Sequence, residues 1–201
     1  TPVDKFTYYH CNTKSSWYEY LNSHFDKKLF FETLNYRRTT SNAAFRLSGL
    51  EIKVGILLMN EDQSKHPTVS GAVLPSIVMD SVLAIYSILE GLSVLSYFSS
   101  IPDCRRQKEI YQSERKGKIP KGIKHELGKN VSAKFKALKA LRDRCMHQDC
   151  ADLLDEPDYG EVFETKKITP HLTLLANYLA SMRSENNPLP DSNLFEFQDR
   201  A

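Results

Sequence analysis

Cysteine is scarce in this sequence, which has four in 201 residues and no CxxC pair. That density and spacing exclude a small disulfide-stapled scaffold and are typical of proteins kept in a reducing compartment. The first ten residues, TPVDKFTYYH, lack the apolar core of a secretory signal. We therefore expect a cytoplasmic protein.

The sequence also lacks a long apolar segment without charge. Its longest apolar run, from about Ser81 to Ile101, contains Glu90 near its middle and several serines. A buried core helix is expected there rather than a membrane span. There is no internal repeat and no low-complexity block, so we expect the hydrophobic residues, 41% of the chain, to build one substantial core.

What the sequence does have is helical periodicity along most of its length. A helix from about 16 to 37, with Ser15 or Ser16 as its N-cap, is predicted by the four-residue repeat of Trp17, Leu21, Phe25 and Leu29. A second helix is predicted from about 41 to 58, although the segment IKVGILLMN is also compatible with a short strand. The polar segment 60–71 predicts a loop, and a third helix is expected from Pro75 to Ser100.

Further helices are predicted in the second half of the chain. Asp103 can cap a helix over about 104–116, which is followed by the basic loop KGKIPKGIK. The next helix is predicted by an amphipathic stripe, and a last one is expected over about 170–183. The members of the stripe are Val131, Phe135, Leu138, Leu141 and Cys145. We expect an all-α helical bundle at 71–185, with additional N-terminal helices at 1–70 packed on it and a C-terminal tail at 186–201.

Charge is distributed unevenly. Residues 105–144 carry 14 Lys/Arg and four Asp/Glu, a net charge of +10, whereas residues 145–201 carry four and eleven, a net charge of −7. The basic segment indicates a phosphate-binding face. The alternative is a solvated pair of helices balanced by the acidic C-terminal third.

The basic segment ends in LRDRCMHQDC, where Arg142 is followed five positions later by His147. The two lie about 140° apart on a helix, so both can line one groove only if something, such as a second copy of the chain, closes over it. Asp143 is one turn before His147 and can orient its imidazole, or can pair with Lys139 instead. Cys145 and His147 point about 200° apart, which argues against a metal site with Cys150.

Glu90 is a secondary candidate, because a carboxylate within an apolar run is costly to bury unless it is paired. Arg142 is an attractive partner, and Asp80 competes for that role. The alternative is exposure of the acid on a polar stripe with Ser81, Ser87 or Ser93.

Arg142-Asp143-x-x-x-His147, placed in a late helix of a helical bundle, resembles the motif of the HEPN superfamily of all-α domains. The resemblance implies a metal-independent RNA endonuclease without cofactor, often a homodimer whose two motifs meet, and in some members a regulatory protein partner. It implies attack by the ribose 2′-OH, with 2′,3′-cyclic phosphate and 5′-OH ends, and a role as a toxin or phage-defence effector. Histidine and arginine suit this chemistry, since one exchanges protons near neutral pH and the other is a permanent forked cation.

Contacts with RNA are expected from the basic segment around the motif. Loop lysines can follow the phosphate backbone, and Tyr111 can stack on a base. The candidates are Lys118, Lys121, Lys124, Arg105, Arg106, Tyr111, Arg115, Lys139 and Arg144. Two alternatives stay open: a non-catalytic HEPN domain that binds RNA, a nucleotide or a protein, and a structural module in which Arg142 forms a buried ion pair.

Overall fold

The computed structural model describes residues 13–25, 34–59, 72–99, 127–128, 131–146 and 163–198. Within these ranges the chain forms five α-helices and no strand, which confirms the all-α prediction for this part of the chain. The helices are α1 (Lys14–Phe25), α2 (Leu34–Met59), α3 (Leu74–Ser99), α4 (Ser132–Met146) and α5 (Thr165–Ala180), and a 3-10 helix (Asn193–Gln198) follows. The predicted loop at 60–71, the helix at 104–116 and the basic loop lie outside the described residues.

Helix α3 is the centre of the core and packs against α1, α2, α4 and α5. Its position follows from its composition, because apolar residues surround it on most sides and Pro75 fits its first turn. Two of its buried serines form hydrogen bonds to the carbonyl oxygen four residues earlier in the helix. The hydroxyl of Ser81 donates to the carbonyl oxygen of Ile77 at 2.7 Å, and that of Ser93 donates to the carbonyl oxygen of Leu89. A polar side chain can therefore be buried here without an unpaired donor.

By length and composition, α3 is also apolar enough to cross a membrane, with a mean hydropathy of 1.7. However, 61% of its most apolar window is buried inside the bundle. The helix is thus used as a core element, as the sequence predicted, which is compatible with a soluble protein.

Helix α2 runs antiparallel to α3, since Thr39 lies beside Gly91 and Lys53 beside Asp80. A Cβ added at Gly91 would lie 3.1 Å from Cγ2 of Thr39, so the glycine permits the close approach of the two helices. The segment from Ile52 to Met59 is helical, and the strand alternative for it is wrong.

The predicted single helix over 16–37 is wrong at its C-terminal end. Helix α1 ends at Phe25, and Arg37 belongs to α2, which packs back against α1. The apolar repeat gave no sign of this reversal because it continues to Leu29 without a glycine or proline. The cap also differs, since Oγ1 of Thr13 accepts from the backbone N–H of Ser16 at 3.3 Å.

Helix α5 begins at Thr165, earlier than predicted, and ends at Ala180 rather than at 183, with Pro170 inside it. A proline here removes one backbone hydrogen bond near the start of the helix. Burial of Ile168, Leu172 and Leu175 offsets that loss. Pro170 therefore does not mark the start of α5, although the start was predicted there from the sequence.

The C-terminal segment docks onto the bundle, where its 3-10 helix packs against α2 and α5. The hydroxyl of Ser192 donates to Oε1 of the fully buried Glu51, and Nδ2 of Asn193 donates to the Glu51 carbonyl oxygen at 3.1 Å. Nδ2 of Asn187 donates to the carbonyl oxygen of Tyr20 at 3.1 Å. The segment is thereby hydrogen-bonded to both α1 and α2.

One buried histidine in α5 predicts a pH dependence of stability. His171 is buried, its Nδ1 has no hydrogen-bond partner, and burial lowers the pKa of its imidazole. The unfolded chain therefore binds a proton below pH 6.5, the ordinary imidazole value, that the folded chain does not. We expect the free energy of unfolding to fall as the pH drops below that value.

The measurement is urea unfolding across the pH range for the parent and for His171→Leu, which removes the titrating group. The variant should lose less stability between neutral and mildly acidic pH than the parent. Thr169→Val on the same helix is the matched control and should keep the parent's pH profile. Equal pH profiles for the parent and His171→Leu would contradict the prediction.

Candidate functional site

Helix α4 carries the motif arginine and presents two different faces. Phe135, Leu138 and Cys145 are buried against the core, and Val131 and Leu141 are partly buried beside them. This confirms the predicted apolar stripe. The lysines of the helix, Lys134, Lys136 and Lys139, are exposed. The helix therefore holds a row of cations at the surface.

Arg142 lies at the border between these two faces, with 26% of its side chain exposed. Its guanidinium carbon is 4.2 Å from the centre of the Tyr86 ring, a cation–π contact. Its Nη1 forms an ion pair with Oδ1 of Asp143 at 2.8 Å. Nε is buried and has no hydrogen-bond partner. The guanidinium is thus held in place on two sides, and about a quarter of the whole side chain is exposed.

Tyr86, from α3, is the residue on which Arg142 rests. Its ring stacks on Phe135 at 5.6 Å between centroids and 20° between planes. Phe135 and Arg142 are two helical turns apart, roughly 10 Å along α4, so the Tyr86 ring lies between them. Sequence reasoning missed Tyr86, because nothing in AIYSILEGL indicates that it meets a residue 56 positions later.

The surroundings of Arg142 favour the protonated form of its guanidinium. A hydrogen bond to Tyr86 is the main cause that raises the pKa of Arg142, and the charges of Asp143 and Glu90 act in the same direction against the effect of burial. The side chain is therefore a permanent cation suited to a phosphate oxygen.

The acids near the motif differ from expectation. Asp143 pairs with its neighbour Arg142, a partner that neither sequence alternative named. Glu90 is exposed and acts on Arg142 only through its charge. Asp80 does not compete for Arg142, because it pairs with Lys53 of α2 at 3.4 Å. The alternative, exposure of the acids, agrees with the structure for both Glu90 and Asp80, although of the serines named with them only Ser87 is partly exposed.

Cys145 packs α4 against α3 and is not a nucleophile. Its thiol is 4.0 Å from the carbonyl oxygen of Met79, and burial raises its pKa to about 11. A thiol with so high a pKa is almost wholly protonated at neutral pH. Among the described residues, no three His, Cys, Asp or Glu side chains lie together where they could hold a metal ion.

His147 follows the last described residue of α4 and lies outside the described residues, as do most of the predicted RNA contacts. Only Lys139, which is exposed, and Arg144, which is half-buried, are placed on α4. The others outside the described residues are Lys118, Lys121, Lys124, Arg105, Arg106, Tyr111 and Arg115.

Comparison with protein-family models, with curated proteins and with solved structures found no match for this chain. The resemblance to HEPN domains therefore stays a prediction, which rests on the motif and on the helical character of the fold.

Proposed function

We propose that this chain is a metal-independent RNA endonuclease of the HEPN type that acts as a homodimer through α4. The observation that carries the proposal is the arginine of the motif. Tyr86 and Asp143 hold its guanidinium, and a quarter of its side chain is open to solvent. A phosphate ligand requires an accessible side chain with a fixed orientation, and Arg142 combines partial exposure with these two contacts.

In the proposed reaction, the ribose 2′-oxygen forms a bond to the adjacent phosphorus, and the bond from phosphorus to the 5′-oxygen breaks. His147 accepts the proton of the 2′-hydroxyl, and a protonated imidazole returns one to the leaving 5′-oxygen. Arg142 donates hydrogen bonds to the phosphoryl oxygens that gain charge in the transition state. No water is consumed, and the products are a 2′,3′-cyclic phosphate and a 5′-hydroxyl.

The exposed lysines of α4 support the proposal, because they precede Arg142 on the same helix and add positive potential that attracts a polyanion. The proposed dimer would bring two such helices together and place the motif of each chain near its partner's. A toxin or phage-defence effector is the biological role that the family resemblance implies for such an enzyme.

The test is cleavage of end-labelled single-stranded and structured RNA in EDTA by the parent, His147→Gln and Lys14→Ala. The parent should give fragments with 5′-hydroxyl ends and cyclic phosphates that resist phosphatase. His147→Gln should give none. Lys14→Ala removes an exposed charge from α1 and is the matched control, which should cleave like the parent.

Two outcomes would contradict the proposal. Products with 5′-phosphate ends would require a different chemistry, in which water attacks phosphorus. Equal RNA binding by all three proteins without cleavage would favour a non-catalytic binding domain, because binding needs only the charge of the basic segment.

A further inference from the structure

A groove of about 540 Å³ lies between α2 and α3, and none of its lining residues belongs to the Arg142 site. Asn42, Phe45, Gly49 and Lys53 line it from α2, and Asp80 and Leu83 from α3. Its size is within the range of binding pockets in proteins.

An exposed apolar surface on α2 lies partly in this groove and partly beside it, because Phe45 lines the groove and Ile52 is the neighbour of the lining residue Lys53. Phe45 is 68% exposed, and Ile52, seven residues later on the same side of the helix, is 56% exposed. Gly49 lies between them, and a Cβ built on it meets no atom within 4 Å. Two large apolar side chains thus flank an open space that can receive a side chain of a packed helix.

The charges of α2 indicate what kind of partner fits. Its exposed or half-buried charged residues, Arg37, Arg38, Arg46 and Lys53, are all basic, and its one acid, Glu51, is fully buried. In the groove itself, Arg46 and Lys53 face only Asp80, which is paired with Lys53. A second copy of α2 would bring the same positive charge and be repelled, whereas an acidic partner is attracted.

We propose that the groove between α2 and α3 binds an acidic amphipathic helix of a partner protein. An apolar side chain of that helix inserts beside Gly49, between Phe45 and Ile52, and its carboxylates face Arg46, because Lys53 is already paired with Asp80. The aliphatic share of the surface, from Ile52 and Leu83, favours a helix over RNA, whose bases stack on aromatic rings. The proposal does not rest on the RNA cleavage proposed above.

The probe is a synthetic helical peptide of roughly 18 residues, five turns, with leucine at alternating three- and four-residue spacing and glutamate elsewhere. A matched peptide has lysine in place of each glutamate. Binding to the full chain is followed by fluorescence anisotropy at moderate salt. We expect the acidic peptide to bind and the basic one to bind at least about tenfold more weakly.

Two variants locate the binding site. Gly49→Leu fills the open space and should weaken binding of the acidic peptide about tenfold. Gly49→Ala is the matched control, and its affinity for the peptide should stay within roughly twofold of the parent's. Arg46→Glu should weaken binding of the acidic peptide and strengthen binding of the basic peptide. Circular dichroism confirms that each variant is folded.

Four results would overturn the proposal. The acidic peptide fails to bind, or both peptides bind alike, or Gly49→Leu leaves binding unchanged. In the fourth, Gly49→Leu instead weakens binding of an oligoadenylate or converts a dimer to a monomer in sedimentation, which would assign the groove to nucleic acid or to a second copy of the chain.

Discussion

Arg142→Lys is expected to reduce the rate of RNA cleavage by roughly a hundredfold or more, although it keeps the positive charge. Lysine has no planar group to lie over the Tyr86 ring at 4.2 Å, and its single ammonium cannot pair with Asp143 and grip a phosphate in the same forked geometry. The lysine ammonium would therefore carry the charge but would not be held next to the phosphoryl oxygens of the transition state.

The measurement is the single-turnover rate on a labelled RNA, with RNA binding recorded separately. Binding of RNA should change little, since many cations contribute to it. Arg183→Lys makes the same chemical change at an exposed arginine outside α4 and is the matched control. If Arg142→Lys cleaves as fast as the parent, charge alone suffices and the contact with Tyr86 has no part in catalysis.

Trp17→Ala is expected to lower the free energy of unfolding by about 3–5 kcal/mol, which is typical for loss of a large aromatic side chain from a core. Trp17 is fully buried and packs edge-to-face on Tyr20, with ring centroids 6.1 Å apart. The Tyr20 hydroxyl in turn donates to the carbonyl oxygen of Leu179 at 2.6 Å. The cavity would therefore loosen the contact between α1 and α5 as well.

Urea unfolding followed by far-UV circular dichroism measures this loss, because Trp17 is the sole tryptophan and its fluorescence disappears with the substitution. Trp17→Phe is the matched control and should lower the free energy of unfolding much less than Trp17→Ala. It keeps an aromatic ring and removes an indole N–H that is buried without a hydrogen-bond partner. A loss below about 1 kcal/mol for Trp17→Ala would mean that α1 contributes little to the core.

The helices could be predicted because their apolar periodicity is local. The stripe of Phe135, Leu138 and Cys145 is buried as its spacing predicts, and the serine-rich run around Glu90 forms the central helix. The end of α1 at Phe25 was missed because the apolar repeat continues in the sequence to Leu29. Periodicity reports which side of a helix is buried, but not where the chain reverses.

The site could be predicted only in part, for a related reason. A short motif identifies Arg142, but its supporting contacts come from distant parts of the chain. Tyr86 reaches it from α3, and Asp80, which looked like a competing partner, is engaged by Lys53 of α2 instead. Such pairings depend on how the helices cross, and no spacing within a single segment contains that information.

The docking of the C-terminal segment has a consequence for the time at which the protein can fold in the cell. Tyr20 in α1 and Glu51 in α2 receive hydrogen bonds from Asn187, Ser192 and Asn193, which follow them by more than 130 residues. A ribosome makes the first two residues long before the other three emerge. Segments such as α1 and α2 can therefore begin to pack first, but these contacts close only after residues 187–193 have left the ribosome. These contacts therefore form later than the packing within the N-terminal helices can, and a chain truncated before residue 187 is left with Glu51 lacking the Ser192 hydroxyl.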